Sequence, residues 1–371
     1  MKVIVFNDFS EELQYYWKSL ERFNSDLYVF QSFDWNFYWY NKIGKYTNVI
    51  IHIVVIIDKD EKPIMLIPLS LKRYFVISVL SFLGDRQHDY NNILFFQSDN
   101  SVGPSFNDLW NFAFRYFPKF DFLYLNKIPC NSFYVRSNII TNSLFTHESN
   151  KAHFTMLPSD FETLVQSKKR KKIKADIHRQ IRRLSELGKL TFEIIDDAAT
   201  CTDLMKFLIE QKRERFKSTS VPDSLDKEYL REFYYDIFHD DPLKYKCHFS
   251  ILKLDNEVLA YHWGITDNNV FYYLMPTFNS NYSNYSPGKI LIYKLLSWSI
   301  ENNFKIFDFT IGSEEYKNDW ADNYMIIYEY TYVRTPLGYL ASVFFQTFAK
   351  IRHNKTLWDS VRRLYRFIKI Y

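Results

Sequence analysis

The sequence predicts an α/β (α+β) chain: two tandem copies of one unit, each a mixed, mostly antiparallel sheet with flanking helices, and then a helical tail. Three observations predict it. The chain has 371 residues, 47% hydrophobic and 24% charged, a globular composition at the length of two ordinary domains. Residues 56–90 lie over 251–285 without a gap, so that Ile56, Asp60, Ile64 and Tyr90 fall on Ile251, Asp255, Leu259 and Tyr285. Strand-like runs and polar turns also recur in the same order in both halves, the mark of a duplicated unit.

In the first copy the periodicity predicts helices near 10–23 and 34–43, a three-strand meander over 49–83, a helix near 105–117 and a strand at 120–126. A linker is expected near 145–158. In the second copy Ser159 and Glu162 read as a capping box, and Leu190 to Ile195 as a strand. Helices are predicted over 203–217 and 226–239, the first with Leu204, Phe207, Leu208 and Gln211 on one face. A meander follows at about 245–254, 257–266 and 269–276. Then come a helix over 288–302, a strand over 304–310 and a strand pair near 324–334. Phe120-Asp121-Phe122 recurs as Phe307-Asp308-Phe309. The expected domains are 1–150, 151–335 and a tail over 336–371.

Bulk properties exclude several function classes. A net charge of +4 names no partner. Aromatic residues reach 19%, but Ile, Asn and Lys are abundant as well, which reads as an AT-rich genome rather than a sugar-stacking surface. Cys130, Cys201 and Cys247 are scattered and odd in number, against a disulfide framework or a zinc site. No signal peptide is read at the N-terminus, and the apolar run Val49 to Ile57 is too short to span a bilayer. The expectation is a soluble, cytoplasmic protein that needs no metal.

Chemistry concentrates in two segments. Tyr285-Ser286-Pro287-Gly288-Lys289 follows an apolar strand and opens an apolar helix. Pro287 suits the first helical position, where its missing N–H costs nothing. Gly288 admits close approach of a ligand, and the unpaired N–H groups of the first turn favour an anion such as a pyrophosphate. The second segment, Phe307 to Lys317, is a buried-looking strand running into Glu314, Tyr316 and Lys317, and ligands gather beyond the carboxyl ends of strands in open α/β sheets. In the first copy Asn91-Asn92-Ile93 stands where the second has Ser286-Pro287-Gly288, so that copy is read as having lost the cofactor corner.

The string Tyr273, Pro276, Phe278, Tyr285-Ser286-Pro287-Gly288, Phe307-Asp308-Phe309, Gly312, Glu314, Tyr316-Lys317 and Trp320 resembles the tandem GNAT acetyltransferases of the cellulose-biosynthesis (CelD/BcsL-like) group. More distantly the chain is similar to the Fem-type peptidoglycan aminoacyltransferases. The resemblance covers most of residues 1–335, with weaker matches at Phe30-Gln31-Ser32, Trp35, Gly84-Asp85 and Asp89-Tyr90. The usual GNAT loop carries Gln or Arg and then two glycines; this chain has only Gly288. The resemblance implies acetyl-CoA or another acyl-CoA as cosubstrate, bound through Ser286, Pro287, Gly288, Lys289 and Lys317. It also implies an amine or hydroxyl acceptor on a sugar-linked or envelope precursor.

Acyl transfer from a thioester needs a base, oxyanion donors and an acid for the leaving thiolate. No Ser-His-Asp or Cys-His pattern offers a covalent nucleophile. Glu314 and His262 are candidate bases, Tyr316 a candidate acid, and Asp308 an orienting carboxylate. His262 also reads as an ordinary strand histidine, and the twin Asp121 favours a structural role for Asp308. Asp89, Tyr90, Arg213, Arg215 and Tyr285 are candidates for acceptor binding. The basic run from Lys168 to Lys172, continued by Lys174, Arg179, Arg182 and Arg183, reads as the solvated face of an amphipathic helix. Its functional alternative is tRNA, the substrate carrier of Fem-type enzymes. A further alternative is a binding protein without catalysis. The tail, with Phe344, Phe348, Arg362, Arg363 and Arg366, could lie on a membrane surface.

Overall fold

The computed structural model describes residues 1–24, 27–84, 87–96, 104–132, 145–218 and 223–353, with side chains described except at 145–147, 218 and 345–353. The first half runs β1 (Lys2–Phe6), α1 (Glu11–Phe23), α2 (Phe33–Lys42), β2 (Ile50–Ile57), β3 (Pro63–Tyr74), β4 (Ile77–Phe82), β5 (Leu94–Phe95), α3 (Phe106–Phe114), β6 (Phe122–Pro129) and β7 (Phe145–Met156). The second runs α4 (Phe161–Leu164), α5 (Lys168–Ser185), β8 (Leu190–Ile195), α6 (Ala198–Ser218), α7 (Glu228–Asp236), β9 (Cys247–Leu254), β10 (Glu257–Asp267), β11 (Val270–Phe278), α8 (Pro287–Glu301), β12 (Ile306–Ile311), α9 (Glu315–Trp320) and β13 (Asn323–Val333). A last helix, α10 (Pro336–His353), follows; the tail residues 354–371 lie outside the described residues.

Local chemistry explains the elements. Ser10, Ser32 and Ser105 cap α1, α2 and α3 by accepting the N–H groups of Leu13, Trp35 and Asp108. Leu13, Trp17 and Leu20 recur at helical spacing and are fully buried. The near-continuous apolar run of β2 is buried on both faces, as strands covered on both sides require. The expected capping box is not the one formed. Asp160 caps α4, Ser167 caps α5, and Glu162 pairs instead with Lys174 at 2.6 Å. The single turn of α4 ends before the basic helix restarts, so Ser159 and Glu162 do not frame one helix.

All strands of the described residues join one sheet in the order β1-β2-β3-β4-β6-β13-β7-β12-β11-β10-β9-β8, with β5 on β3. The halves exchange their last strands. β7, which ends the first half, pairs with β12 of the second (Phe307 opposite Thr155). β13, which ends the second half, pairs with β6 of the first (Tyr332 opposite Leu123). The two exchanged strands pair with each other at the middle (Ile326 opposite Lys151). The stretch expected as a linker is therefore a twelve-residue central strand, and the expected closing strand pair is the single β13. Pairing on both edges overrides the polar sequence of β7.

One apolar cluster is shared between the halves. It holds Phe30, Trp35, Trp39 and Tyr90 of the first with Phe233, Phe249, Trp263 and Tyr272 of the second. α2 also ties to α7, through Tyr38 Oη donating to Phe233 O at 2.7 Å and Lys42 Nζ to Asp236 at 2.7 Å. The opposite face of the sheet carries two separate clusters, one under α3 and one under α5 and α8.

Candidate functional site

The site lies in a wedge between β11 and β12. These strands pair in parallel over only three positions, from Val270 opposite Ile306 to Tyr272 opposite Asp308. A bulge between Asp308 and Thr310, with Thr310 at φ +58°, then turns β12 away toward β7. β11 continues along β10 to Phe278, with a bulge at Leu274 where the pairing passes from Gly264–Tyr273 to Trp263–Met275. Its other edge from Tyr273 onward borders a cavity of about 1230 Å³. Tyr273, Pro276 and Phe278 form one wall; Phe309, Thr310 and Ile311 form the other. α8 closes one end with Gly288 and Lys289, α6 contributes Lys212 and Arg215, and α9 with its approach contributes Glu314, Tyr316 and Lys317. Asp89 reaches in from the first half.

The start of α8 is set by local chemistry. Ser286 takes a left-handed conformation (φ +52°), Pro287 follows at the first helical position, and Ile290, Leu291, Leu295 and Leu296 anchor the helix with no exposure. Lys289 N–H and Ile290 N–H turn back to Ser286 O at 2.9 and 3.3 Å. A Cβ at Gly288 would touch only Phe278 Cδ1, at 3.4 Å, so the free space at Gly288 is on the cavity side. Together with the helix dipole this corner fits an anionic group. The donor set therefore suits acyl-CoA: an open strand edge for amides, a helix start for phosphates, and cations alongside. Ser286 and Pro287 build the corner without lining the cavity. Tyr285 lies outside it, half-buried with the Arg183 guanidinium 4.6 Å from its ring centre.

At the end of β12 the backbone turns through Gly312, whose φ of +140° suits glycine and where a Cβ would collide with the Glu314 carboxylate. Lys317 is buried; its ammonium bonds Ile311 O at 2.9 Å, Thr310 O at 3.4 Å and Glu314 Oε2 at 2.9 Å. Glu314 itself is exposed to the cavity. Burial and the nearby Glu314 push the Tyr316 phenol well up, so it stays protonated.

Asp308 sits behind this surface. Tyr90 Oη donates to both its carboxylate oxygens at 2.9 and 3.0 Å, and Thr310 N–H to Oδ1 at 2.7 Å. Burial lifts its pKa to about 7, against the pull of the Thr310 and Tyr90 hydrogen bonds. Tyr90 is thus a buried link between the halves rather than an exposed contact. Asp121 is not its counterpart. It precedes β6 and accepts Ser78 N–H and Thr335 Oγ1, both at 2.7 Å, so the repeated triplet is not repeated in the register of the sheet.

His262 does not line the cavity. It is fully buried on β10, stacked on Tyr273 at 4.3 Å, with His248 5.8 Å away. Burial holds it neutral, its pKa well below the usual range. The alternation of β10 places it on the face opposite Tyr261 and Trp263 as expected; that face is covered by helices. Arg213 also points elsewhere, paired with Asp223 at 2.8 Å and Glu210 at 3.4 Å. A charged cavity-lining residue that the sequence reading missed is Lys212. It lines the cavity half-buried, its ammonium 3.5 Å from Pro276 O. Burial and then Arg215 lower its pKa to about 8, against Glu314. The signal was available: Lys212 and Arg215 are three apart and share a helix face, whereas Arg213 and Arg215 do not.

The basic helix α5 packs beside the site. Arg170 is buried and bonds Leu164 O at 3.1 Å, Trp320 O, and Asp322 at 2.9 Å. Lys169 and Lys289 approach Asp319 at the cavity rim, at 3.7 and 4.0 Å. Lys168, Lys171, Lys172, Arg179 and Arg182 stay exposed. Among the described residues no group of three or more His, Cys, Asp or Glu side chains could hold a metal ion.

Residues 168–318, which contain nearly all of this cavity, match the family model of the acetyltransferase (GNAT) domain. No curated protein matches the sequence. Among solved structures, the fold is similar to a conserved protein of unknown function from Bacteroides thetaiotaomicron VPI-5482, at 12% identity and TM-score 0.56 over 90% of this chain and 100% of that one. It is similar to FemX at 11% identity and TM-score 0.56, over 92% and 99%. It is also similar to the C-terminal domain of a putative lysylphosphatidylglycerol synthetase from Agrobacterium fabrum, at 11% and 0.50, over 79% and 87%. At these identities the likenesses show the fold alone. Residues 168–318 thus carry the match to a GNAT-type acetyltransferase domain, which supports an acyltransferase, and GNAT domains use acyl-CoA as cosubstrate.

Proposed function

We propose that the protein transfers an acyl group, acetyl in the first instance, from acyl-CoA to an amine on a sugar-linked precursor of a surface polysaccharide. The observation that carries this reading is the wedge between β11 and β12, open along one strand edge and ending at the Gly288 corner. The sugar-linked acceptor rests on the resemblance of the second half to the cellulose-biosynthesis group.

The roles follow from position. The edge of β11 beyond Tyr273 offers backbone groups to the amides of the donor, and α8 with Lys289 receives its phosphates. Lys212 and Arg215 add positive charge along the same path. Glu314 takes the acceptor proton, with Lys317 fixing its carboxylate. Tyr316, kept protonated, supplies a proton to the leaving thiolate. Attack is direct, in a ternary complex, so no enzyme side chain is acylated. The acceptor enters past Asp89.

Calorimetric titration of acetyl-CoA into the purified chain and into Gly288→Trp tests this. Saturable binding by the wild type, lost in the folded variant, is the expected result. A folded wild-type protein that takes up no acyl-CoA would remove the reading. The second reading, aminoacyl transfer from tRNA, is favoured by the exposed cations of α5. It requires that charge reversal at Lys168, Lys171 and Lys172 abolish activity while acetyl-CoA leaves the protein's heat signal unchanged.

A further inference from the structure

The tip of the β3–β4 hairpin is the most exposed apolar feature among the described residues of the first half. Tyr74, Phe75 and Val76 stand in sequence at 53%, 106% and 76% exposure, with Phe75 in a left-handed conformation (φ +54°) that throws its ring outward. A large apolar side chain at a turn with positive φ is costly in two ways: it strains the backbone and wets an aromatic ring. Nothing in the packing of the described residues uses it.

The tip is not isolated. Asp121 accepts Ser78 N–H at 2.7 Å on the returning strand and Thr335 Oγ1 at 2.7 Å just before α10. Arg334 N–H bonds Asp121 O at 2.9 Å. This clasp brings the start of α10 to the foot of the hairpin. There α10 exposes Leu337 at 40% and Leu340 at 67%. Around the same clasp stand the exposed cations Arg73, which pairs across from Ser78, Lys119, two residues before Asp121, and Arg334. Asp121 is the acid at the centre, held by its internal hydrogen bonds. Three cations against one carboxylate leave the patch, an apolar tip and helix start, with net positive charge. Apolar side chains that enter the acyl boundary while cations meet anionic headgroups are the chemistry of a peripheral membrane contact.

We propose that the β3–β4 tip and the start of α10 form a docking surface for an anionic lipid membrane, with Phe75 as the inserted side chain and Arg73, Lys119 and Arg334 as the headgroup contacts. The surface is shared by the first half and the start of α10, lies outside the transfer cavity, and does not depend on which acceptor the cavity takes. No helix of the described residues is long and apolar enough to cross a membrane, so the contact is one of lying on the surface.

The test is co-sedimentation of the full chain with phosphatidylcholine vesicles, with and without phosphatidylglycerol, at low and high salt. Binding to the anionic vesicles that weakens with salt is expected. Phe75→Ser should lower the partition roughly tenfold or more, and the pair Arg73→Glu with Lys119→Glu should abolish the preference for anionic lipid. Phe207→Ser, which removes a ring 62% exposed on α6, should change nothing. Phe75 touches no core, so its variant folds; a circular dichroism melt matching the wild type verifies that. Absence of vesicle binding would overturn the proposal, as would binding that Phe75→Ser leaves intact. Self-association abolished by Phe75→Ser in the absence of lipid would assign the patch to a second copy instead.

Discussion

The two halves build the same wedge and fill it differently. In the second, β11 and β12 pair over three positions before Thr310 turns the strand away. In the first, β4 and β6 also pair in parallel over three positions, from Val79 opposite Phe122 to Ser81 opposite Tyr124, and Lys127 (φ +56°) makes the turn. There the loop after β4 enters the gap. Asn91 N–H bonds Lys127 O at 2.9 Å, Asn91 Nδ2 bonds Asn126 O at 3.2 Å, and the Lys127 ammonium bonds His88 O. The His88 ring seals it among Phe30, Trp35 and Trp39. The first half thus satisfies its strand edge with its own chain, in the place where the second leaves a cavity. The loop is not idle: its residue Asp89 lines the second half's cavity and its Tyr90 is the partner of Asp308.

The largest effect that sharpens this contrast belongs to Glu314. Glu314→Gln should lower kcat roughly a hundredfold or more while acetyl-CoA affinity, read by calorimetry, stays within a factor of about two. Unchanged turnover would move the base elsewhere in the wedge. Next is the link between the halves. Tyr90→Phe strips Asp308 of its side-chain donor, and leaving a buried carboxyl short of a partner should cost about 1–3 kcal/mol in denaturant unfolding.

Asp308 gives a signed pH dependence. Its folded pKa, about 7, exceeds the unfolded value near 3.9, so between those values the folded state holds the extra proton. Stability from this group is full below about pH 4 and is lost as pH rises through 7. Asp308→Asn has no such loss. Its melting temperature relative to wild type should climb from pH 5 to pH 8; a constant offset would refute the assignment. The buried histidines act with the opposite sign. His248, depressed to about 3, removes stability as pH falls below about 6.5; both proteins carry it, so it cancels in the difference between variant and wild type.

A smaller effect concerns Lys212. Raising pH through about 8 removes its charge, so acyl-CoA binding should weaken severalfold across that range. Lys212→Met should bind more weakly and with a flatter profile. The smallest expected change is in the sealed wedge: Asn91→Ala should cost about 1 kcal/mol of stability and leave acetyl-CoA affinity untouched. A change in affinity would show that the two wedges communicate.

Much of the second half was readable from residues alone. The Pro-Gly helix entry, the apolar periodicity of α8 and the strand ending in Glu314 and Lys317 are local signals, and local signals survive folding. Non-local facts were not readable. β7 is held by backbone pairing on both edges while most of its described side chains stay partly or fully exposed, so it read as a linker. The face of β10 that carries His262 followed from alternation, but α8 and α5, distant in sequence, decide that this face is dry. Arg213 was chosen over Lys212 because charge was weighed without the helical angle between neighbours.

The exchange of β7 and β13 has the topology of a swapped dimer of a single unit, fused into one polypeptide. Each half lends its closing strand to the other's sheet and receives the other's in return. Neither half is then a separable module with its own complete set of edges; a cut between them would expose two unpaired strand edges at once. Conversely, the two segments made as independent chains carry the complementary strands needed to find each other, and the acyltransferase cavity should reappear only when both are mixed.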